Sequence, residues 1–150
     1  HAQGMKTYLE SAVLHRKLGY FFEAKKAIGA ICHGVVLASR IKDQDGHSVL
    51  KFKRTTALLK SSELLAYHLT KKRLGSYYLT YPGTTVEEEV KSCLASSEQF
   101  IKGPPVLLRD SEKCLWWGFS VTDDHYVSAR WPGDVYNFTQ SFIKILYRTH

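Results

Sequence analysis

The sequence contains no apolar run that approaches the roughly 20 residues needed to cross a bilayer as a helix. Cysteine is scarce, and Cys32, Cys93 and Cys114 are an odd number at wide spacings, which fits neither a disulfide framework nor a zinc site built on CxxC pairs. The histidines have no metal-binding spacing such as HExxH. These absences predict a cytoplasmic protein with no membrane association, no disulfide, no metal ion and no cofactor.

The composition is that of an ordinary globular domain. Of the 150 residues, 44% are hydrophobic and 23% are charged. A chain of this length can bury about 68–70% of its unfolded surface in one core. The sequence has no internal repeat or low-complexity segment, so a single domain is predicted over residues 1–150.

The charge is positive but unevenly distributed. The formal net charge is +7, and residues 1–75 hold 14 Lys and Arg against 5 Asp and Glu, whereas residues 76–150 hold 7 against 9. The basic residues are spread along predicted helix faces, with no zinc-finger, RNP or basic-zipper pattern around them. A solvated basic face is therefore expected, and nucleic-acid binding is not.

The first forty residues have the pattern of an α/β protein. Apolar residues recur at three- to five-residue steps over residues 5–24, which predicts an amphipathic helix. The short apolar run at residues 27–32 is typical of a strand buried on both faces, and residues 33–40 are predicted to be helical. Helix, buried strand and helix in succession indicate a layered α/β fold.

The rest of the chain alternates between turn-rich and periodic segments. A β-hairpin is expected over residues 42–54, with its turn at Asp45-Gly46, followed by a short core strand at 55–58. Residues 61–74, with Ser61 or Ser62 as N-cap and a stripe of leucines, have the pattern of an ordinary surface helix. The later predicted elements are a helix from Thr84 or Thr85 to about residue 95, a turn at Pro82-Gly83 before it, strands at 116–121 and 125–129, and a helix over 132–147.

The strongest chemical signal is Cys32, at the junction of the buried strand and the next helix. A nucleophile at such a corner needs small neighbours two residues before and after, and Ala30 and Gly34 meet that requirement. A thiol at a helix N-terminus is expected to have a lowered pKa, and the backbone amides there could stabilise an oxyanion. The alternative is that Cys32 is an inert small hydrophobe in a buried strand.

The segment AIGAICHGVVLASR at residues 27–40 resembles the nucleophile elbow of the ThiJ/PfpI superfamily. That group contains the parkinsonism-associated protein deglycase, and class I glutamine amidotransferases are more distant relatives. Tyr81-Pro82, the glutamates at 87–89 and YVSARWPGD at residues 126–134 follow the order of the superfamily's C-terminal portion. The resemblance covers essentially the whole chain.

The resemblance implies a flavodoxin-like three-layer α/β sandwich with a mainly parallel sheet and a site at the carboxyl ends of its strands. It also implies that the superfamily's first strands, and the glutamate that hydrogen-bonds its cysteine, precede the part that corresponds to this chain. We therefore expect a C-terminal fragment of a longer domain. Its partners are expected to be a small-molecule substrate and either its own N-terminal portion or further copies of the chain, because an exposed sheet edge favours pairing.

By the same resemblance, the protein is expected to be a cysteine-dependent hydrolase, lyase or deglycase that acts on a small carbonyl or amide compound. The predicted roles are nucleophile for Cys32, proton-handling group for His33, backbone oxyanion donor for Gly34, and ligand of a substrate carboxylate for Arg130. A surface salt bridge is the alternative role of Arg130. Cys93 and Cys114 are expected to be structural.

Four carboxylates are candidates to orient His33 or Cys32, namely Asp123, Asp124, Asp134 and Glu63. The amidotransferase pattern of a His followed two residues later by Glu is absent, because Val127 follows His125 at that spacing, so glutamine hydrolysis by that triad is not expected. Two alternatives to an enzyme stay open. One is a stress or redox sensor in which Cys32 oxidises to sulfenic or sulfinic acid, and the other is an inactive assembly module.

Overall fold

The computed structural model describes residues 3–81, 83–105 and 108–148. Within these ranges the sheet has three strands, β1 (Ile28–Ile31), β2 (Ser120–Asp123) and β3 (Tyr126–Ala129), in the order β1-β3-β2. β1 runs parallel to β3, with Ala30 opposite Ser128, and β2 runs antiparallel to β3. Asp124, at a φ of 56°, makes the tight turn between β2 and β3.

The α/β class is confirmed, but the expectation of a mainly parallel sheet is not, because one of the two strand pairs is antiparallel. The antiparallel pair follows from the short connection of Asp124 and His125, which leaves no room for a crossover helix. The three-layer arrangement stays a prediction. No helix within the described residues is long and apolar enough to cross a membrane.

Six α-helices lie in the described parts of the chain. They are α1 (Lys6–Leu9), α2 (Ala12–Glu23), α3 (Gly34–Arg40), α4 (Lys60–Leu74), α5 (Val86–Ser92) and α6 (Val135–Arg148). Short 3-10 turns occupy Gln3–Met5, Ser97–Gln99, Leu115–Trp117 and Pro132–Asp134. The predicted helix over 33–40 and the predicted C-terminal helix are thus present, although the latter begins with a 3-10 turn.

The single helix expected over residues 5–24 is two helices. The chain leaves the helical conformation at Ser11, whose side chain accepts a hydrogen bond from the backbone N–H of Leu14 at 3.3 Å. A serine that caps a new helix in this way competes with continuation of the previous one. The apolar spacing alone does not register this break.

The segment at residues 42–58 contains no regular hairpin or strand. Lys42 and Ser48 form an isolated bridge, and the Asp43 carboxylate accepts hydrogen bonds from the backbone N–H groups of Asp45 and His47. Thr55 forms an isolated bridge with Phe100 in place of a core strand. Side-chain hydrogen bonds to the backbone therefore replace the predicted strand pairing.

Helix α5 begins as its sequence predicts. Thr85 accepts from the backbone N–H of Glu88, and the Glu88 carboxylate accepts from the backbone N–H of Thr85, which is a complete capping box. Pro82 in the predicted turn before this helix lies outside the described residues. The predicted strand at 116–121 is shorter than expected, because a 3-10 turn occupies its first residues.

Helix α4 differs from the surface helix that its sequence predicts in its N-cap residue and in the face that it buries. Leu59, not Ser61 or Ser62, is the N-cap residue. The leucine stripe does not pack inward, since Leu65 is 61% exposed and Leu69 76% exposed, whereas Glu63 is 2% exposed. The face of α4 that meets the core therefore carries a carboxylate, and an apolar face points outward.

The sheet is covered on the side of α6 by aromatic side chains. A Cβ on Gly29 of β1 would lie 2.6 Å from the ring of Phe138, so this strand position accepts only glycine at the present helix-to-sheet distance. α6 packs against β2 and β3, and α3 packs against β1. The hydrophobic core cluster includes Ile28, Ala30 and the α3 residues Val35 and Val36.

A buried ion pair holds the end of β3 against the start of α6. Arg130, 1% exposed, donates from Nε and Nη2 to the two carboxylate oxygens of Asp134 at 2.9 and 2.8 Å. The Asp134 carboxylate also accepts from the backbone N–H groups of Phe119 and Arg130. The Arg130 Nη1 donates to the carbonyl of Pro104. One carboxylate thus fixes three segments of the chain.

The Asp134→Asn variant tests this assignment. Removing one partner of a buried ion pair leaves the other charge uncompensated, so the free energy of unfolding should fall by about 3–5 kcal/mol. Urea denaturation followed by circular dichroism measures the change. The matched control is Asp124→Asn at an exposed position where asparagine tolerates the positive φ, with an expected loss below about 1 kcal/mol. Equal losses in the two variants would contradict the assignment.

Candidate active site

Cys32 sits at the corner where β1 ends and α3 begins, with a φ of 58°. This left-handed conformation is unusual for a residue other than glycine and requires support from its surroundings. That support is visible: the backbone N–H of Cys32 donates to the carbonyl of Ala129 in β3 at 3.0 Å, and its carbonyl accepts from Val35 at 3.2 Å. The strained corner projects the thiol into a cavity.

The small residues around the corner are not equally required. Ala30 is buried against the core. A Cβ on Gly34, in contrast, would meet no other atom within 4 Å among the described residues. The expectation that residue 34 must be small for steric reasons is therefore not supported by this part of the chain.

The thiol and the imidazole of the next residue are in contact. Cys32 Sγ lies 3.2 Å from His33 Nδ1. Adjacent side chains in a strand point apart, but the left-handed conformation of Cys32 and the helical conformation of His33, the N-cap residue of α3, bring these two onto one side. The structure thus places the predicted nucleophile and the predicted proton-handling group within hydrogen-bonding distance.

The expected lowering of the Cys32 pKa is wrong for this chain. Burial raises the pKa of the Cys32 thiol to about 11, and the negative charge of Glu63 acts in the same direction. Burial also lowers the pKa of His33 to about 4, so the imidazole is neutral at neutral pH. Desolvation of the thiolate outweighs the hydrogen bond from the His33 backbone, which lowers the pKa of Cys32.

The backbone amides predicted to form an oxyanion cradle are only partly available. The N–H of Cys32 is engaged with Ala129 as part of the β1–β3 pairing. Within the described residues no backbone carbonyl accepts from the N–H groups of His33 or Gly34. The role of Gly34 as an oxyanion donor stays a prediction.

The thiol opens into a cavity of about 740 Å³, a size that suits a small organic ligand. Most of its wall is apolar and is formed by Ile31, Leu58, Leu59, Leu65, Leu69, Trp131 and neighbouring residues. The polar residues that line it are Cys32, His33, Ser62, Glu63, Tyr78 and Arg130. The cavity is therefore mainly apolar, and the thiol of Cys32 forms part of its wall.

Only one of the four candidate carboxylates lines this cavity. Asp123 accepts from Lys53 and from the backbone N–H of Arg54, and Asp124 contacts His125. Asp134 is bound to Arg130. Glu63 is therefore the carboxylate that the fold brings to the thiol.

Glu63 is a buried acid with half of its hydrogen-bonding capacity unused. Its Oε2 accepts from the backbone N–H of Val86 at 2.8 Å, while no group among the described residues donates to its Oε1. Burial raises the pKa of Glu63 to about 6. His33 Nε2 is likewise buried without a partner in the described parts of the chain. A buried polar atom without a partner is uncommon and indicates a ligand or water site.

Arg130 also lines the cavity, but its guanidinium N–H groups already donate to other residues. Nε and Nη2 face Asp134, and Nη1 faces Pro104. The exposed salt bridge considered as an alternative is instead a buried one. The bidentate capture of a substrate carboxylate by Arg130 stays a prediction that requires this pair to open.

Sequence reasoning missed the wall formed by α4. Leu65 and Leu69 are one helical turn apart, and both line the cavity. The sequence signal for this wall is the spacing of Glu63 and Leu65. They are two residues apart, so the acid and the leucines lie on different faces of one helix. The leucine spacing by itself indicates only that the residues share a face.

The other two cysteines and the acidic loop lie away from this site. The Cys93 thiol donates to the carbonyl of Val90, and neither Cys93 nor Cys114 is among the residues that line the cavity. Among the described residues, Asp43, Asp45 and His47 are close enough to share a metal ion, but all three are exposed, and the backbone N–H groups of Asp45 and His47 already donate to the Asp43 carboxylate. None of the three is among the described residues that line the cavity at Cys32.

No protein-family model matches the sequence, and no curated protein matches it. Solved structures do share the fold. Rapid Encystment Protein 24 kDa of Francisella tularensis superposes on 95% of this chain and 53% of its own, with a TM-score of 0.70 and 22% identity. Glyoxalase III of Candida albicans superposes on 92% of this chain and 51% of its own, with a TM-score of 0.62 and 18% identity.

These comparisons establish similarity of fold. The chain spans about half the length of the solved proteins that it matches. Activity and substrate do not follow from fold similarity alone.

The pH dependence of Cys32 alkylation tests the effect of burial. With a pKa near 11 against an ordinary 9.0, Cys32 should react with iodoacetamide at pH 8 about a hundredfold more slowly in the folded chain than in urea. Its rate should increase about tenfold per pH unit up to about pH 11, as measured by peptide mass spectrometry. A plateau below pH 8.5 would instead show an activated thiolate.

Proposed function

We propose that this chain carries the nucleophilic cysteine of a ThiJ/PfpI-like enzyme of the hydrolase, lyase or deglycase type, acting on a small carbonyl or amide compound. The observation that carries the proposal is the left-handed corner at Cys32, with its thiol 3.2 Å from His33 in a cavity of about 740 Å³. The elbow sequence and the fold shared with a glyoxalase III support it.

Because burial keeps Cys32 protonated at neutral pH, the thiol needs a base at the moment of attack. His33 is neutral there and its Nδ1 is in contact with the thiol. As Sγ forms a bond with the substrate carbonyl carbon, the thiol proton moves to Nδ1 and the carbonyl electrons move to oxygen. The imidazolium then returns a proton to the leaving group, or to the oxygen in an addition reaction.

Glu63 stabilises this sequence electrostatically. Its carboxylate is close enough to raise the pKa of Cys32, and above its own pKa of about 6 it carries a negative charge. A negative charge in a low-dielectric cavity favours the imidazolium that forms when His33 accepts the proton. Glu63 is thus a positioning and charge-balancing residue in this proposal, not the nucleophile.

The proposal also covers the chain's binding partner and its location in the cell. The partner in this proposal is either the chain's own N-terminal portion or further copies of the chain, and three free cysteines suit a cytoplasmic location. The redox-sensor alternative is less favoured, because oxidation by peroxide also starts from the thiolate, and burial raises the Cys32 pKa.

Turnover by single-site variants tests the function. The wild-type chain should convert an α-oxoaldehyde, an ester or an amide at a measurable rate, and Cys32→Ser should abolish it. His33→Gln should lower kcat about 10²–10⁴-fold because the base is lost. Cys93→Ser is the control that should retain activity, since Cys93 lies outside the cavity lining.

A different result would overturn this assignment. Equal turnover by the wild type and Cys32→Ser would exclude the cysteine mechanism. Absence of turnover together with a stoichiometric mass increase at Cys32 in dilute peroxide would favour the sensor. Intact-protein mass spectrometry distinguishes these cases.

A further inference from the structure

The cavity wall changes from polar to apolar along helix α4. Glu63, near the start of the helix, lines the cavity, and its charge acts on the thiol of Cys32. Leu65, Ala66 and Leu69 line the cavity further along the same helix. Because an α-helix rises about 1.5 Å per residue, this side of the cavity extends about 9 Å from Glu63 to Leu69. The cavity therefore joins a polar end, which holds the thiol, to an apolar wall.

The apolar wall continues into the exposed surface of the protein. Leu65 and Leu69 lie on the outward face of α4, and both are mostly exposed although they line the cavity. Leu58 and Trp131 add apolar surface to the same cavity. Exposed leucines that continue into a cavity are typical of a site that covers an apolar group of its ligand. A substrate chain that covers them gains binding free energy from each methylene removed from water.

The polar end of the cavity has no free cation for a carboxylate. Arg130 is the one Lys or Arg among the described residues that line the cavity, and its N–H groups donate to Asp134 and Pro104. Glu63 lines the cavity too, and at neutral pH, above its pKa of about 6, it is negatively charged. A second carboxylate would lose its hydration there without gaining a counter-ion. An uncharged carbonyl compound avoids this penalty.

We propose that the substrate of this site is an uncharged carbonyl compound with an apolar chain. Its carbonyl group lies at the Cys32 thiol, and its chain lies against Leu65 and Leu69 of α4. The inference rests on the proposed function, because it names the substrate class of the same cysteine. It goes beyond that proposal in requiring an apolar chain and in excluding substrates with a carboxylate beside the carbonyl. Arg130 is then a structural residue of the cavity wall and not the ligand of a substrate carboxylate.

Binding of two matched ligand series tests the inference without depending on turnover. The first series consists of methyl ketones with alkyl chains of two to seven carbons. The second consists of the 2-oxo acids with the same alkyl chains, in which a carboxylate replaces the methyl group. Dissociation constants are measured by ligand-observed NMR at neutral pH on the 150-residue chain carrying Cys32→Ser.

The two series have distinct expected results. Affinity for the ketones should increase roughly two- to fourfold for each added methylene, because each one covers further apolar surface. Each ketone should bind about tenfold or more tightly than the 2-oxo acid with the same chain, because the carboxylate is desolvated without a counter-ion.

Variants of α4 connect the chain-length dependence to named residues. Leu65→Gln and Leu69→Gln should each reduce the gain per methylene, because a polar side chain replaces part of the apolar wall. The matched control is Leu74→Gln on the same helix, 47% exposed and outside the cavity lining, which should leave the gain unchanged.

Glu63→Gln tests the exclusion of carboxylates. The glutamine carbonyl can still accept from the backbone N–H of Val86, so this hydrogen bond is kept while the negative charge is lost. The preference for ketones over 2-oxo acids should fall severalfold, and the gain per methylene should stay the same.

Three results would overturn the inference. They are equal affinity along the ketone series, 2-oxo acids that bind as tightly as the ketones, and a dimer that shields Leu65 and Leu69 and binds no ketone. The second result would return the carboxylate-binding role to Arg130. Cys32-dependent turnover of a short polar carbonyl compound together with any of these results would preserve the proposed function without the apolar substrate class. If the ketones bound as expected and no substrate were turned over, the ligand site would stand and the enzymatic proposal would fail.

Discussion

The arrangement of the site depends on one strained residue, Cys32, held at a φ of 58° between β1 and α3. The hydrogen bond from its N–H to Ala129 fixes the corner to the neighbouring strand. That strand continues into Arg130, whose buried pairing with Asp134 ties it to the start of α6. Backbone strain of this kind persists only where the surroundings determine it, and here two strands and a buried ion pair do so.

The corner creates a conflict between burial and reactivity. The apolar surroundings that could bind a substrate also raise the pKa of the thiol and lower that of the imidazole. Both groups are therefore uncharged at neutral pH. The mechanism that we propose depends on the direct contact between Cys32 and His33, because in it the thiol proton moves from Sγ to Nδ1 as the new bond forms.

The elements with strong local signals were predictable from sequence. Three features depend only on residues that are close together in the sequence. They are the buried strand, the elbow at Cys32 and the capping box at Thr85. The sequence does not predict the outward face of α4 or the buried position of Glu63. Leucine spacing shows that residues share a face of a helix, but not which face the rest of the protein covers. The pKa of Cys32 was mispredicted for a related reason, since desolvation depends on tertiary packing. The pairing of Arg130 with Asp134 needs a turn geometry that spacing does not specify.

The most direct measurement compares two alkylating probes on the same sample. Chloroacetamide and N-hexyl chloroacetamide each transfer their acetamide group to a thiolate with loss of chloride, so the ratio of their rates at one cysteine does not depend on that cysteine's pKa. The ratio, hexyl over parent, should be at least about tenfold higher at Cys32 than at Cys93, because the hexyl group gains an apolar wall only at Cys32. The same ratio at both cysteines, by peptide mass spectrometry of the folded chain, would contradict a nucleophile placed in an apolar binding cavity.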